Sequence, residues 1–224
     1  METRYDISMS NYFCMGCGRG YSDLKIKSNW FLVRHGETDW NRKERIQGHA
    51  DTHLNETGIA QAEATADFLR DTHIDLIVSS DLARAKETAE IIARATGAEV
   101  IFDEALREMD FGDLEGMFIP EVNEKYGDFL GRPYKELGGE VFEEVEERAM
   151  GALHKYRKDH EHKNIVIVSH GALMGLVIKN IRKIDHAKSA GLNIGNAEAI
   201  KLEIGEPCDN CGGDLYEGGL GGLG

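Results

Sequence analysis

Two histidines, each following a run of apolar residues and each followed by glycine, are the residues of this sequence best suited to chemistry. Residues 31–34 lead into His35, and residues 165–169 lead into His170. A buried strand that ends in polar side chains presents them at its carboxyl end, where open α/β sheets bind ligands. If the two strands are neighbours, their spacing of about 4.8 Å brings both imidazoles into one small volume.

Arg34, directly before His35, indicates which chemistry this pair could do. A neutral imidazole is a competent nucleophile near neutral pH, and the planar guanidinium matches phosphate oxygens two at a time. We therefore predict a phosphoryl group as the target. An Arg-His-Gly turn also arises by chance and a buried histidine is often only structural, so the assignment depends on the rest of the chain.

An ordered series of short motifs extends from about residue 30 to residue 204. In order, they are residues 32–38 (LVRHGET) with Asn41, Gln47-Gly48, residues 51–54 (DTHL) with Gly58, residues 79–85 (SSDLARA) with Thr88-Ala89, residues 106–108 (LRE) with Gly112 and Glu115-Gly116, and residues 169–171 (SHG). In these motifs the chain resembles the histidine phosphatase superfamily, which includes cofactor-dependent phosphoglycerate mutases and many small-molecule phosphatases. His53 stands where the family commonly has proline, which bears only on the shape of that loop.

The resemblance implies an α/β fold, a three-layer α/β/α sandwich around a mostly parallel sheet of about six strands. The alternation of strand and helix patterns supports this fold class independently. Residues 57–69 have apolar positions at helical spacing, and Asp81 could cap the next helix, which carries Arg84 in its first turn and ends at Gly97. The buried face predicted for the first of these helices comprises Ile59, Ala62, Ala66 and Leu69.

The second half of the chain predicts further elements around the site. A short strand at 99–102 is followed by a glycine- and proline-marked region, 113–139, that we expect to be irregular and to cover the site. A helix from Glu140 and a closing pair of strands around Asn193 and 197–204 complete the pattern. The stripe expected to be buried on that helix is Phe142, Val145, Ala149, Ala152 and Tyr156.

The resemblance also implies a mechanism and a residue for each role. His35 would attack phosphorus and form a phosphohistidine, which water would then hydrolyse. Arg34, Arg84 and His170 would neutralise the phosphoryl oxygens. Glu108 matches the position of the acid that protonates the leaving alkoxide, and Asp110 is the alternative in the same loop.

Three further groups are expected to complete the phosphate grip: the side chains of Asn41 and Gln47 and the backbone amide of Gly171. They would join Arg34 and Arg84 as substrate-binding residues. No metal is needed for the transfer itself.

All four cysteines lie outside the family pattern, in two Cys-x-x-Cys turns that are each followed by glycine. They are Cys14 and Cys17 near one end of the chain and Cys208 and Cys211 near the other. Such turns point thiolates inward, and two of them complete a tetrahedral site. We expect a structural Zn²⁺ in a small zinc-ribbon-like appendage formed by the two termini, although iron in the same four sulfurs is an open alternative.

Length and charge limit the remaining possibilities. The chain has 224 residues, which suits an extension at 1–29, a histidine phosphatase domain at 30–204 and a glycine-rich tail at 205–224. A net charge of −14 argues against nucleic-acid binding. No apolar run is long enough to span a bilayer and no secretory signal is evident, so we expect no membrane association and a cytoplasmic protein.

Four functions can be compared with these features. The favoured one is a hydrolase, a phosphomonoesterase acting on a small phosphorylated molecule. A phosphoglycerate mutase is the first alternative, but the family's mutases carry a longer insertion than the stretch from Glu108 to Glu140, and Met109 follows the acid where they usually carry tyrosine. A non-catalytic module that binds through its zinc knuckles would be expected to lack one of the catalytic residues. A metal enzyme using His49 and His53 lacks the glutamate of a zincin motif. Loop composition encodes neither the substrate nor the oligomeric state.

Overall fold

Strands and helices alternate along the chain in the computed structural model, which describes residues 6–7, 26–127, 135–182 and 194–205. The strands are β1 (Asp6–Ile7), β2 (Ile26–Arg34), β3 (Leu76–Ser79), β4 (Glu99–Phe102), β5 (Ile165–Ser169) and β6 (Ala199–Gly205). The α-helices are α1 (Asp39–Arg42), α2 (Glu56–Leu69), α3 (Ala83–Thr96), α4 (Ile119–Tyr126), α5 (Phe142–Asp159) and α6 (Gly171–Arg182). The α/β class predicted from the sequence is confirmed.

The strands form one mixed sheet in the order β1-β6-β2-β5-β3-β4. β2, β5, β3 and β4 are parallel to one another, as the strand-helix alternation predicts, whereas β6 runs antiparallel to β2. At the β6 edge, β1 adds only a two-residue pairing. The sheet is therefore mixed, with its parallel part centred on β5.

Side chains alternate across the central strands and divide the core into two parts. Phe31 and Val33 of β2 pack into one hydrophobic cluster with the buried faces of α2 and α3. Trp30 and Leu32 point to the other face, where the buried residues of α5 and α6 lie. Because strand side chains alternate with a period of two, both faces of the sheet are covered by helices.

The pairing of β2 with β5 brings the two histidine-bearing strand ends together. Arg34, the last residue of β2, lies opposite Ser169, the last residue of β5. The next residue of each chain segment is a histidine, and His35 N donates a hydrogen bond to Ser169 O at 2.9 Å. The predicted neighbourhood of the two strands is confirmed.

The buried face of α2 differs from the prediction at its first turn. Ala62, Ala66 and Leu69 are buried, but Ile59 is 42% exposed. Gly58 takes its place, because a Cβ there would lie 2.1 Å from Glu37 O. The close backbone approach at Gly58 turns the first part of the helix so that Ile59 faces solvent.

Asp81 does not cap α3, contrary to the prediction. Its carboxylate instead forms an ion pair with Arg107, while the Ala83 amide at the start of the helix donates to Asp51 Oδ1 at 2.6 Å. The capping group therefore comes from a distant loop. Arg84 lies in the first turn and Gly97 ends the helix with a positive φ of 74°, both as predicted.

The region expected to be irregular contains a helix, α4. Pro120 is its second residue, a position where the missing amide hydrogen costs no helical hydrogen bond. The proline and glycines predict a loop, but Pro120 lies in the first turn of the helix and Gly127 ends it. The later helix α5 matches its prediction, with Val145, Ala149, Ala152 and Tyr156 buried and Phe142 partly buried.

Candidate active site

His35 lies directly after β2 and is only 2% exposed. Its Nδ1 is 2.7 Å from the carbonyl oxygen of Gly36. A carbonyl can only accept, so Nδ1 carries the ring proton and Nε2 keeps its lone pair. The geometry therefore presents Nε2 as the nucleophilic atom.

The surroundings of His35 keep it neutral. Burial, followed by the positive charges of Arg84 and Arg34, lowers the pKa of His35 well below its ordinary value. The lone pair on Nε2 is thus present at neutral pH and in mildly acidic solution. Neutrality without an assisting base is what a histidine nucleophile requires.

His170 is the second buried histidine, with its ring centroid 5.2 Å from that of His35. Its Nε2 is 2.8 Å from Ser80 Oγ, and that oxygen also accepts a hydrogen bond from the Leu82 amide at 3.3 Å. The Ser80 hydroxyl can donate to Nε2, and in that arrangement the neutral ring carries its proton on Nδ1. Nδ1 is buried and has no hydrogen-bond partner among the described residues.

Burial and then the charge of Arg84 lower the pKa of His170 well below its ordinary value. Neutral His170 can therefore offer Nδ1–H to an oxygen atom placed between the two rings. The sequence singled out His170 but gave no role to Ser80, the residue that orients it. The position of Ser80 in the motif at residues 79–85 was the feature of the sequence that could have indicated this role.

Arg84 is fully buried in the first turn of α3. Its Nη1 donates to Ala50 O at 2.7 Å and its Nη2 to Gly48 O at 2.8 Å, while Nε has no partner in the described part of the chain. Desolvation by burial lowers the pKa of Arg84 to about 10, so the side chain stays cationic at neutral pH. The guanidinium is held in place by carbonyl groups and by Thr52 Oγ1 at 3.4 Å, none of which carries a net charge.

Arg34 repeats this arrangement at the end of β2. Its Nη1 donates to Ile194 O at 2.7 Å, and its buried Nε also has no partner among the described residues. Burial lowers the pKa of Arg34, while Glu108 and Glu198 raise it. Within the described ranges neither arginine has a carboxylate oxygen within 4 Å, so both buried charges favour an anion between them.

Glu108 lies beside this pocket and is 9% exposed. Its carboxylate oxygens accept hydrogen bonds from the amides of Met109 at 3.0 Å, Ala172 at 3.1 Å and Leu173 at 3.0 Å. Two of these donors belong to the first turn of α6, where the helix dipole favours a carboxylate. The Glu108 carboxylate is therefore held by backbone amides, and two of them belong to the turn that directly follows His170.

Asp110, the alternative acid, has a different environment. Its Oδ1 accepts from the Gly112 amide at 2.7 Å, and its Oδ2 is 3.9 Å from His49 Nδ1. The side chain is 34% exposed and stabilises the turn that follows. Among the two carboxylates of this loop, Glu108 is the more buried.

The amide side chains of Asn41 and Gln47 are fixed by their oxygens. Gln47 Oε1 accepts from Thr52 Oγ1 at 2.6 Å, and Asn41 Oδ1 accepts from the Thr38 amide at 3.1 Å. Their NH₂ groups are thus the ends left to donate. Asn196 was not identified from the sequence. Its Nδ2 donates to His35 O at 3.1 Å and so connects the segment before β6 to the backbone of the nucleophile.

Gly171 is the first residue of α6 and lies against the guanidinium of Arg34. A Cβ at this position would be 3.4 Å from Arg34 Cζ. The structure thus brings His35, Arg34, Arg84, His170 and Gly171 together. That the Gly171 amide binds phosphate stays a prediction.

The four cysteines of the predicted metal site lie outside the described residues. Within the ranges that the structure describes, no group of three or more histidine, cysteine, aspartate or glutamate side chains could hold a metal ion. In the same ranges, no helix is both long enough and apolar enough to cross a membrane.

Comparison with known proteins gives an independent result. The profile of the histidine phosphatase superfamily (branch 1) matches residues 30–210. An uncharacterized phosphatase of Bacillus subtilis (strain 168), PhoE, is 40% identical over 150 residues, which cover 67% of this chain and 75% of that protein. The probable phosphoglycerate mutase GpmB of Salmonella paratyphi A is 36% identical over 185 residues, covering 79% and 85% of the two chains.

Solved structures agree with the sequence matches. A mycobacterial glucosyl-3-phosphoglycerate phosphatase superposes with a TM-score of 0.71 at 31% identity. The match covers 79% of this chain and 92% of that one.

Proposed function

This chain belongs to the histidine phosphatase superfamily, and from that membership we propose that it is a phosphomonoesterase that hydrolyses a small phosphorylated molecule through a phosphohistidine. The observation that carries the proposal is the pair of buried arginines. Arg34 and Arg84 both act electrostatically on the neutral His35, and their hydrogen bonds go to backbone carbonyl oxygens and, for Arg84, to Thr52 Oγ1, with no carboxylate acceptor in the described part of the chain. An anionic phosphoryl group would supply the charge that these two side chains lack.

In the first step, His35 Nε2 attacks phosphorus and the bond to the ester oxygen breaks. Arg34, Arg84 and the Nδ1–H of His170 stabilise the charge on the phosphoryl oxygens. The departing oxygen takes a proton from Glu108, because an alkoxide is a poor leaving group without one.

In the second step, water attacks the phosphohistidine and the bond between phosphorus and Nε2 breaks. Glu108, now a carboxylate, accepts the proton of the water molecule. The amides of Met109, Ala172 and Leu173 hold the Glu108 oxygens in place. Inorganic phosphate leaves, and His35 returns to its neutral state.

Phosphate release from a panel of substrates tests this function directly. The panel contains sugar phosphates, phosphoglycerates, nucleotides and phosphoamino acids, assayed at about pH 6 and about pH 7.5, on either side of the ordinary histidine pKa. We expect catalytic phosphate release from at least one class at both pH values, because burial keeps His35 neutral throughout. Release no faster than that of a His35→Ala variant from every class would contradict the proposal.

A phosphoglycerate mutase is the second candidate, supported by the relatives named GpmB. The length of the acid-bearing region supports hydrolysis instead, because the stretch from Glu108 to Glu140 is shorter than the insertion that the family's mutases carry. Glu140 N donates to Asp110 O at 2.9 Å, and Asp110 N donates to Glu140 Oε2 at 2.9 Å. Residues 110 and 140, the two ends of this stretch, are therefore hydrogen-bonded to each other. Interconversion of 2- and 3-phosphoglycerate without net phosphate release would favour the mutase.

We also propose that Cys14, Cys17, Cys208 and Cys211 hold one structural Zn²⁺. Backbone pairing between the ends of the catalytic domain supports this: Ile26 at the start of β2 lies opposite Gly205 at the end of β6. One cysteine pair precedes Ile26 and the other follows Gly205, so both pairs are connected to the same end of two neighbouring strands.

Metal analysis of protein purified without chelator is expected to give about one zinc per chain, because four thiolates close a tetrahedral site. Removing the metal should lower the melting temperature while most phosphatase activity remains, since none of the four cysteines contributes to the phosphate grip. A Cys14→Ser/Cys17→Ser variant should have the same lowered melting temperature with or without chelator. Metal-free protein with four titratable thiols would refute the site, and iron in place of zinc would correct its identity.

A further inference from the structure

The segment that carries Glu108, residues 105–110, is called here the acid loop. After a single 3₁₀ turn at Glu104–Leu106 the described chain has no helix or strand until Gly112. Its backbone carbonyls therefore cannot be satisfied by a regular ladder, although they lie next to the hydrophobic core. Another element must fix this loop for Glu108 to have a defined position.

Arg148, on α5, supplies three of those hydrogen bonds, while Ser169 Oγ donates to Leu106 O at 2.8 Å and His49 Nε2 lies 2.9 Å from Glu108 O. Its Nη1 donates to Ala105 O at 2.9 Å and to Arg107 O at 2.7 Å, and its Nη2 donates to Glu108 O at 2.8 Å. One side chain therefore binds three carbonyl groups of the acid loop, including that of the acid itself.

The rest of the guanidinium is bound by Glu140. Arg148 Nε donates to Glu140 Oε1 and Arg148 Nη2 to Glu140 Oε2, each at 2.8 Å. All five N–H groups of Arg148 thus have acceptors. Although burial opposes it, the hydrogen bonds from Arg148 and Asp110 hold the pKa of Glu140 below its ordinary value, so the partner is a carboxylate at neutral pH.

Glu140 also fixes the far end of the acid loop, through its reciprocal backbone contacts with Asp110. Both ends of the loop are therefore attached to Arg148 and Glu140. Neither residue is among those that grip the phosphate. The ion pair is only about one-fifth exposed on each side, so water screens it weakly.

We propose that Arg148, held by Glu140, is a positioning residue that sets the place of the Glu108 carboxyl relative to the leaving oxygen. This inference rests on the proposed function, because it assumes that Glu108 protonates the leaving group. It goes beyond that function because an ion pair from another part of the fold, Arg148 with Glu140, then determines the position of the acid. The hydrogen bonds of Arg148 go to the acid loop and Glu140, and none goes to Arg34, Arg84 or His170 in the described ranges.

Lysine cannot replace Arg148 in this role. Its three N–H donors radiate from one nitrogen atom and cannot reach three carbonyl groups and a carboxylate at the same time. The variant Arg148→Lys keeps the positive charge but loses the forked set of N–H donors. It therefore distinguishes a loss of positioning from a loss of charge.

The test compares the rate of phosphoenzyme formation on an alkyl phosphate and on p-nitrophenyl phosphate, whose leaving group needs little protonation. For Arg148→Lys we expect about a 10- to 100-fold loss on the alkyl phosphate, because small misplacements of a catalytic group are costly. On p-nitrophenyl phosphate the loss should stay below about threefold. Lys158→Met, which removes an exposed cation from the same helix, should change neither rate.

A double mutant distinguishes positioning from general damage. If Arg148 acts through Glu108, then Arg148→Lys in a Glu108→Gln background should cause little further loss on the alkyl phosphate. Equal losses on both substrates, or a full additional loss in the double mutant, would overturn the inference. If instead Glu108→Gln alone shows no preference between the two substrates, the acid assignment of the proposed function fails. Glu140→Gln provides a second, milder disruption should Arg148→Lys fold poorly.

Discussion

Replacing His35 by alanine is expected to reduce phosphatase turnover at least a thousandfold. The imidazole is the group that forms the covalent bond to phosphorus, and loss of a covalent nucleophile removes several powers of ten in rate. Wild-type enzyme mixed with labelled substrate and quenched in base should contain a phosphoenzyme that acid destroys, since a phosphoramidate bond is acid-labile. The alanine variant should contain none.

His73→Ala is the matched control for this experiment. His73 is a histidine whose side chain is 83% exposed and which contacts Asp75 at the surface. Its replacement should leave turnover and phosphoenzyme formation unchanged. Turnover of His35→Ala above about a thousandth of the wild-type value would contradict the assignment of the nucleophile.

Replacing Glu108 by glutamine is expected to slow phosphoenzyme formation about 10²- to 10⁴-fold on an alkyl phosphate. The amide keeps the shape of the side chain but cannot give a proton to the leaving oxygen. On p-nitrophenyl phosphate the same step should be slowed much less, because p-nitrophenolate leaves without a proton.

The first turnover must be measured separately from the steady state. Glu108 also accepts a proton when water attacks the phosphohistidine, so steady-state rates on both substrates can fall together. The burst of p-nitrophenol isolates the first step. Equal losses in that step on both substrates would argue against Glu108 as the acid and would return attention to Asp110, and Asp110→Asn is the comparison variant.

The sequence predicted the centre of the site well because the relevant signals are local. An apolar run that ends at Arg34 and His35 is readable within a few residues, as is the run before His170. The alternation of strands and helices left open whether these two strands are neighbours, and the structure shows that they pair, with Arg34 opposite Ser169.

The errors arose where a contact joins distant parts of the chain. The cap of α3 comes from Asp51 and not from the adjacent Asp81, which is occupied by Arg107. Arg148 was one of several charged residues on a helix, and nothing within its own segment shows that it reaches Ala105 O. Periodicity and capping rules describe one element at a time, whereas these partners are chosen by packing between elements.

The two-sided core has a consequence for how this family can diversify. Arg84 and its helix pack against one face of the sheet, whereas the acid loop contributes Leu106 and Met109 to the hydrophobic cluster on the other. Under the proposed mechanism, substitutions around α5 would therefore change the protonation of the leaving alcohol through the acid loop, whereas they would leave the hydrogen bonds of Arg84 to Ala50 O and Gly48 O in place.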